Sequence, residues 1–334
     1  MLTVCLITLG DPATLTGGYR YHRRMAELAG RNDARVDFVS LPLRLPVLYG
    51  YRALRAARAD VVLVDSIAAA FLAPWILLRR PRRLAAVVHQ PPGGIDHAAP
   101  RKWVQARLDR LLYRRCEQVI VASELLTGQF DRAIVVPPGR DQSEGTGSCD
   151  LRGGARAAAL CVASWLPNKG ILELLDAVGM LPAGTLRLHL AGDEQVGTRY
   201  HDRVIGRLGE LRDRVIRHGR CNDTEIGRLY RSADFFVLPS RWETYGTVYA
   251  EAMTAGLPVV GWRSGNLPHL VTDGREGRTV APGDVRALAG ALGRVAADEP
   301  ARRRMAAAAA RRAQSLATWE QSAQRFFATL RCRP

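Results

Sequence analysis

Short apolar, β-branched runs recur along the first part of this chain with helix-length segments between them: Leu2 to Leu9, Val36 to Val39, Val61 to Asp65, Leu84 to His89 and Gln118 to Ala122. Strands separated by helices cannot pair as tight hairpins, so this rhythm predicts parallel pairing and a doubly wound α/β domain. The alternation resumes with Leu160 to Ala163, Leu186 to Ala191, Val215 to His218, ADFFVLPS from Ala233 to Ser240, AGLPVVG from Ala255 to Gly261, and Val280 to Gly283. Between the two series, Ile134 to Pro138 leads into Gly139-Arg140-Asp141 and a polar Gly/Ser stretch through Gly154, which marks a domain boundary. A chain of 334 residues is long enough for two cores. The predicted division is a first domain over 1–139, a linker over 140–156, a second domain over 157–317 and a terminal helix within 318–334.

Helical spacing or propensity predicts helices over Tyr19 to Ala29, Arg101 to Arg115, Ile171 to Leu181, residues 300 to 313, and Trp319 to Leu330, with another opening at Asp284. Ile67 to Leu78 is the longest apolar run; it contains Pro74, is too short to span a bilayer and reads as a buried helix. Leu41 to Tyr51 reads as a loop.

The charged fraction of 24% is that of a soluble globular protein. The net charge of +16 comes almost wholly from arginine, since Lys102 and Lys169 are the only lysines. It implies attraction to anions. The basic residues are dispersed and carry no aromatic-and-basic recognition motif, so nucleic acid is not an expected partner. On Arg101 to Arg115 the basic positions could face an anionic membrane, while Val104, Leu108, Leu111 and Leu112 fit a core-packed helix with a solvated basic face. The cysteines Cys5, Cys116, Cys149, Cys161, Cys221 and Cys332 show no paired spacing, which argues against a zinc site or disulfide framework and for a reducing cytosol. MLTVCLITLG reads as a strand rather than a secretory leader.

Chemistry concentrates in SRWETYGTVYAEAMTAGLPVVGW, from Ser240 to Trp262. Glu243 falls in a loop after a strand, and Glu251 lies inside a helix that begins near Tyr245 or Gly246. At about 1.5 Å of rise per residue, the helical part of that interval covers roughly 8 Å, about the width of a diphosphate. Free amides at the helix start favour an anion, and a carboxylate on either side can accept the hydroxyls of a sugar or a ribose. Gly17-Gly18 after the first strand, His89 at a strand end, and Lys169 in the loop after Leu160 to Ala163 are further candidates. Ligands of such sheets bind beyond the carboxyl ends of the strands.

The block from Ala233 to Gly261 resembles the donor-binding signature of the retaining glycosyltransferases of family 4, which have the GT-B fold of two Rossmann-like domains facing a central cleft. The resemblance extends over the chain through Gly17-Gly18, VVHQPPG around His89, VVPPGRD before the boundary, and Lys169. It implies that Glu243 and Glu251, with seven residues between them, bind the donor sugar and the ribose, and that Tyr245, Gly246 and Thr247 lie at the phosphates. It implies that Lys169 neutralises the diphosphate, that Gly17 and Gly18 face the phosphates and acceptor, that His89 lies near the transferred sugar, and that the base sits near Arg220. It also places the last helix back on the first domain. Two departures stand out: Ser164 replaces the usual arginine, with Arg20 and Arg241 as candidate substitutes, and Gln90 replaces the usual aspartate after the histidine.

The expected activity is therefore transfer of a sugar from a nucleoside diphosphate donor, with UDP ahead of other nucleotides, to a hydroxyl acceptor such as a natural product or a cell-envelope precursor. Catalysis falls to His89, Lys169 and Glu243, without a metal, because no Asp, His or Cys cluster has ligand spacing. The expected location is the cytoplasm, including the inner membrane face. A phosphorylase or epimerase of the same fold, and a non-catalytic sugar-nucleotide binder, are the alternatives.

Overall fold

The computed structural model describes residues 1–12, 17–79, 81–95, 99–140 and 147–332. Residues 13–16 of the loop before Gly17 and 141–146 of the boundary stretch lie outside the described residues. The chain divides into two compact units, Met1–Gly139 with Ala317–Pro334, and Arg140–Leu316.

The first unit runs β1 (Leu2–Leu9), α1 (Gly17–Leu28), β2 (Ala34–Leu41), α2 (Pro46–Ala56), β3 (Val61–Asp65), α3 (Ser66–Leu78), β4 (Leu84–Val88), α4 (Ala99–Tyr113), β5 (Gln118–Val121) and β6 (Ala133–Val135). Its six strands are parallel in the order β2-β1-β3-β4-β5-β6. β3, β4 and β5 are buried along their whole length, which is why residues 61–64, 84–88 and 119–121 read as apolar runs.

The second unit continues with β7 (Ala158–Val162), α5 (Ile171–Gly179), β8 (Arg187–Ala191), α6 (Arg199–Leu211), β9 (Val215–Gly219), α7 (Asp223–Ser232), β10 (Phe235–Leu238), α8 (Thr247–Thr254), β11 (Val259–Trp262), α9 (Leu267–Leu270), β12 (Gly277–Val280), α10 (Val285–Ala297) and α11 (Glu299–Gln314). Its sheet is again six-stranded and parallel, in the order β12-β11-β10-β7-β8-β9. The last helix, α12 (Trp319–Arg331), belongs to the first unit, where Trp319, Phe326 and Phe327 pack into a core with Tyr21, Met25 and Leu6. These two doubly wound domains are the α/β architecture of a GT-B protein.

Three local expectations change. The segment after β2 is not all loop, because Pro46 opens α2 from the first helical turn, where its missing N–H costs nothing. β12 ends at Val280 rather than starting there: Gly277-Arg278-Thr279 lacks an apolar signature, and Gly277 is required because a Cβ would overlap the Val259 carbonyl. On α4, Leu112 is buried and Leu108 and Leu111 pack on the core, but Val104 is exposed near the start of the helix. All six cysteines are free. Among the described residues, no helix is long and apolar enough to cross a membrane.

Candidate functional site

In the second unit the chain winds from β7 through β8 to β9 on one side, then returns to β10 and on to β11 and β12 on the other. The order reverses between β7 and β10, so the loops leaving their carboxyl ends lie side by side. Those loops are Ala163–Gly170 and Pro239–Gly246, and they carry Lys169 and Glu243. Backbone hydrogen bonds tie them together. The Asn168 carbonyl accepts from the Arg241 amide at 2.7 Å and from the Ser240 hydroxyl at 3.0 Å. Gly170 holds a left-handed φ of 71° against the Pro239 carbonyl, where any Cβ would collide.

The result is a direct ion pair: Lys169 Nζ lies 2.5 Å from Glu243 Oε1, with both side chains largely shielded but not sealed. The backbone around Glu243 is held from behind by Asn266, a buried residue that the sequence reading did not single out. Its amide donates to the Glu243 carbonyl at 2.9 Å and its side-chain Nδ2 to the Tyr245 carbonyl at 2.8 Å. Gly265 precedes it with φ 56° and approaches the Glu243 backbone too closely to admit a side chain. The available signal was Ser264-Gly265-Asn266 between a strand and a Leu-Pro helix start.

Gly246, at φ 79°, is the N-cap of α8 and brings no side-chain cap. The start of α8, at Thr247, therefore receives no cap from its N-cap side chain, and a helix end of this kind favours an anion. A Cβ at Gly246 would overlap the Tyr249 ring. Tyr245 is buried, which pushes its hydroxyl pKa up to about 12. Glu251 is half-buried one turn into α8, with Oε2 accepting from the Tyr230 hydroxyl of α7 at 3.1 Å. Ser164 is half-buried in the same β7 loop as Lys169. Arg220 stands beyond β9, two strands from β7, exposed and paired with Asp193. Arg241, one candidate for the missing cation, pairs with Glu173 at 2.7 Å and is more than half exposed. The other, Arg20, is a half-buried residue of α1 in the first unit.

The first unit also reverses its strand order, between β1 and β3, and here the polar groups are buried. Asp65 ends β3 and caps α3, accepting from Ile67 N at 3.3 Å. Its other oxygen lies 2.9 Å from His22 Nε2 and accepts from the Thr8 hydroxyl at 2.9 Å. His89 follows β4, its amide donating to Ser66 Oγ at 3.3 Å and its ring meeting those of His22 and Tyr21 edge to face, with centroids 4.9 and 5.1 Å apart. Burial and the adjacent His22 push the His89 imidazole down to about 4, against the pull of Asp65. Burial would raise the Asp65 carboxyl, yet His22 and His89 with the Thr8 hydroxyl hold it down to about 2. Among the described residues, His89 Nε2 is buried without a hydrogen-bond partner.

Gly17 and Gly18 are not a glycine turn but the first two residues of α1, and neither has a positive φ. At Gly18 a Cβ would make a tight 3.3 Å contact with His89 Cδ2, whereas Gly17 is open to solvent. His22, Asp65 and His89 put one ligand-type atom each within 4.8 Å of one another, a grouping that linear spacing hides. His22 Nε2 and Asp65 are already joined by a hydrogen bond, so the trio is a neutral histidine, His89, resting on a buried His–Asp pair.

Residues 153–312, nearly the whole second unit, match the family model described as glycosyl transferases group 1. The chain is 28% identical over 250 residues to mannosylfructose-phosphate synthase of Agrobacterium fabrum, an alignment covering 67% of this chain and 54% of that protein. It thus spans about half the length of that curated relative. Among solved structures, sucrose-phosphate synthase from Thermosynechococcus elongatus superposes with a TM-score of 0.86 at 20% identity, over 99% of this chain and 98% of that one. HepE of Anabaena, solved in complex with UDP-glucose, superposes with a TM-score of 0.80 at 19% identity, over 98% of this chain and 99% of that one. The family matched by the second unit is one of glycosyltransferases, and the fold is theirs.

Proposed function

We propose that this protein is a retaining glycosyltransferase of family 4 that takes a sugar from a nucleoside diphosphate donor, UDP before other nucleotides, and delivers it to a hydroxyl acceptor. The observation that carries this reading is the Lys169–Glu243 ion pair at the strand reversal, beside an α8 start that Gly246 leaves without a side-chain cap. A donor diphosphate is the ligand that such a group suits. Its oxygens take over the Lys169 charge and the amides around Tyr245, Gly246 and Thr247, and Glu243, released from the lysine, accepts sugar hydroxyls. Glu251, oriented by Tyr230, accepts the ribose diol. Ser164 adds a hydroxyl from the Lys169 loop, and Arg220 lies toward the base. HepE, which shares the fold, is solved with UDP-glucose, and this is the ground for putting UDP first.

In the proposed reaction the acceptor oxygen bonds to the anomeric carbon on the face from which the diphosphate departs, and the acceptor proton passes to the leaving phosphate oxygen. The configuration is kept and no enzyme nucleophile is needed. Lys169 and the α8 amides stabilise the leaving group, while Gly17 and Gly18 keep the start of α1 open to phosphate and acceptor. His89, held neutral by burial, contributes a hydrogen bond rather than a charge to a sugar with oxocarbenium character. Lysine and amides take the part of a cation, so the reaction proceeds without a metal. The acceptor is a natural product or a cell-envelope precursor, and the working location is the cytoplasm or its membrane face.

Isothermal titration with UDP and UDP-glucose tests the donor site. Wild type should bind both, and Glu251→Ala should weaken both together through loss of the ribose contact. Proton NMR of the product then reads the anomeric configuration; an inverted product, or no nucleotide binding at all, overturns the reading.

A further inference from the structure

The first unit carries an apolar edge that nothing among the described residues covers. Leu43, Leu45, Leu48 and Tyr49, in the turn after β2 and the first turns of α2, are exposed, Leu43 to 74%. At the end of α3, Leu77 and Leu78 are exposed as well, Leu78 to 75%. These are neighbouring positions. The Trp75 indole donates to the Val47 carbonyl at 2.5 Å, its ring lies 5.8 Å from that of Tyr51, and Gly50 leaves room for it between the helices. The start of α2 therefore rests against the last turns of α3, and the two sets of leucines share one edge. Isolated exposed leucines are ordinary, but a cluster of this kind marks an interaction surface.

The charges around it name the partner. Arg44, Arg52, Arg55 and Arg79 are all exposed, and Leu48, Arg52 and Arg55 recur at the spacing of one helix face. Neither 42–59 nor 66–84 contains an aspartate or glutamate. A second copy of the chain would set this arginine collar against itself, which like-charge repulsion opposes. An anionic bilayer meets both features at once, with hydrocarbon to take the leucines and phosphates to take the guanidiniums. We propose that this edge, formed by the β2–α2 turn, the outer side of α2 and the end of α3, seats the protein on an anionic lipid surface. α4 presents Trp103 and Val104 to solvent with Arg107 stacked 3.6 Å over the Trp103 ring, so its basic side is the rival location. The proposal uses no residue assigned to donor binding and stands or falls separately from it.

Co-sedimentation of the full chain with phosphatidylcholine vesicles, with and without phosphatidylglycerol, tests it. Binding should require the anionic lipid and weaken as salt is raised. The double variant Leu45→Glu with Leu48→Glu should lower partitioning by on the order of 100-fold, because two apolar contacts become carboxylates repelled by lipid phosphates. Its melting temperature and UDP binding should stay unchanged, since both residues are exposed and outside the donor site. A wild-type protein that stays in the supernatant, or a double variant that sediments as wild type does, overturns the proposal. So does loss of binding on Arg107→Glu with Arg110→Glu alone, which places the contact on α4, or a dimer in light scattering that the leucine variant dissociates.

Discussion

Both units gather their polar residues at the same topological point, the carboxyl ends of strands flanking the reversal of strand order, but the two gatherings differ in access to water. In the second unit the central pair is Lys169 with Glu243, 14–21% exposed and bordered by the start of α8. In the first, His22 and Asp65 are 2% exposed and His89 leans on them. An ion pair that is shielded but still open on one side can trade partners with an incoming anion, because water and ligand both reach it. A sealed pair cannot, and works by fixing the shape and protonation of whatever touches it. The same sheet geometry thus yields an exchangeable charge in one unit and a fixed support in the other.

The contrast is broken most directly at Lys169. If its charge is spent on a leaving diphosphate, Lys169→Ala should lower turnover by roughly 1,000-fold, about 4 kcal/mol of transition-state stabilisation, while a thermal melt moves little. Near-normal product formation would remove it from the reaction. Asp65→Ala should do the reverse. It leaves His22 buried without its partner and should cost about 3 kcal/mol in urea unfolding; a loss below about 1 kcal/mol would show that the pair is not a structural support.

Acid should separate the two regions as well. His89 is neutral in the fold down to about 4 but charges near 6.5 once unfolded, so between those values the unfolded chain binds more protons. Stability is complete above pH 6.5 and falls as the pH drops toward 4. Asp65, held near 2 by its neighbours, adds a second loss below the unfolded carboxylate value of about 4. Urea midpoints measured across this range should slope downward toward acid, and His89→Gln should flatten the upper part of the slope.

Gly246→Ala tests the backbone that presents the α8 amides. A left-handed φ of 79° and overlap with Tyr249 should cost about 2 kcal/mol in stability, with weaker UDP binding alongside. The smallest effect belongs to Tyr230→Phe, which removes one hydrogen bond to Glu251. About 1 kcal/mol, or roughly fivefold in the dissociation constant for UDP, is expected by calorimetry.

How much of this was legible depends on how far each signal is local. The buried strands were readable because parallel strands covered on both faces are apolar along most of their length, as residues 61–64 are. α2 escaped notice because its exposed Val47, Leu48, Tyr49 and Tyr51 blur the amphipathic pattern that betrays a helix. β12 was displaced because Gly277-Arg278-Thr279 looks like a turn until the Val259 carbonyl beside it is seen. Glu243, Gly246 and Lys169 stood out in loops after strands, and Glu251 in the helix that follows, as residue types suited to the chemistry. Asn266 and the His22–Asp65 pair did not, since their meaning lies in contacts made 21 and 43 residues away.

What the amino-acid order determined alone was the alternation of strand and helix, hence two parallel sheets, because periodicity and apolar runs act over a few residues. Only the folded chain decided which of the candidate groups became partners. Lys169 and Glu243 meet because strand order reverses between β7 and β10, and His89 stays neutral because α1 and β3 close over it. Pairing and desolvation depend on distance in space, and that distance is set by how whole elements stack rather than by any stretch of sequence.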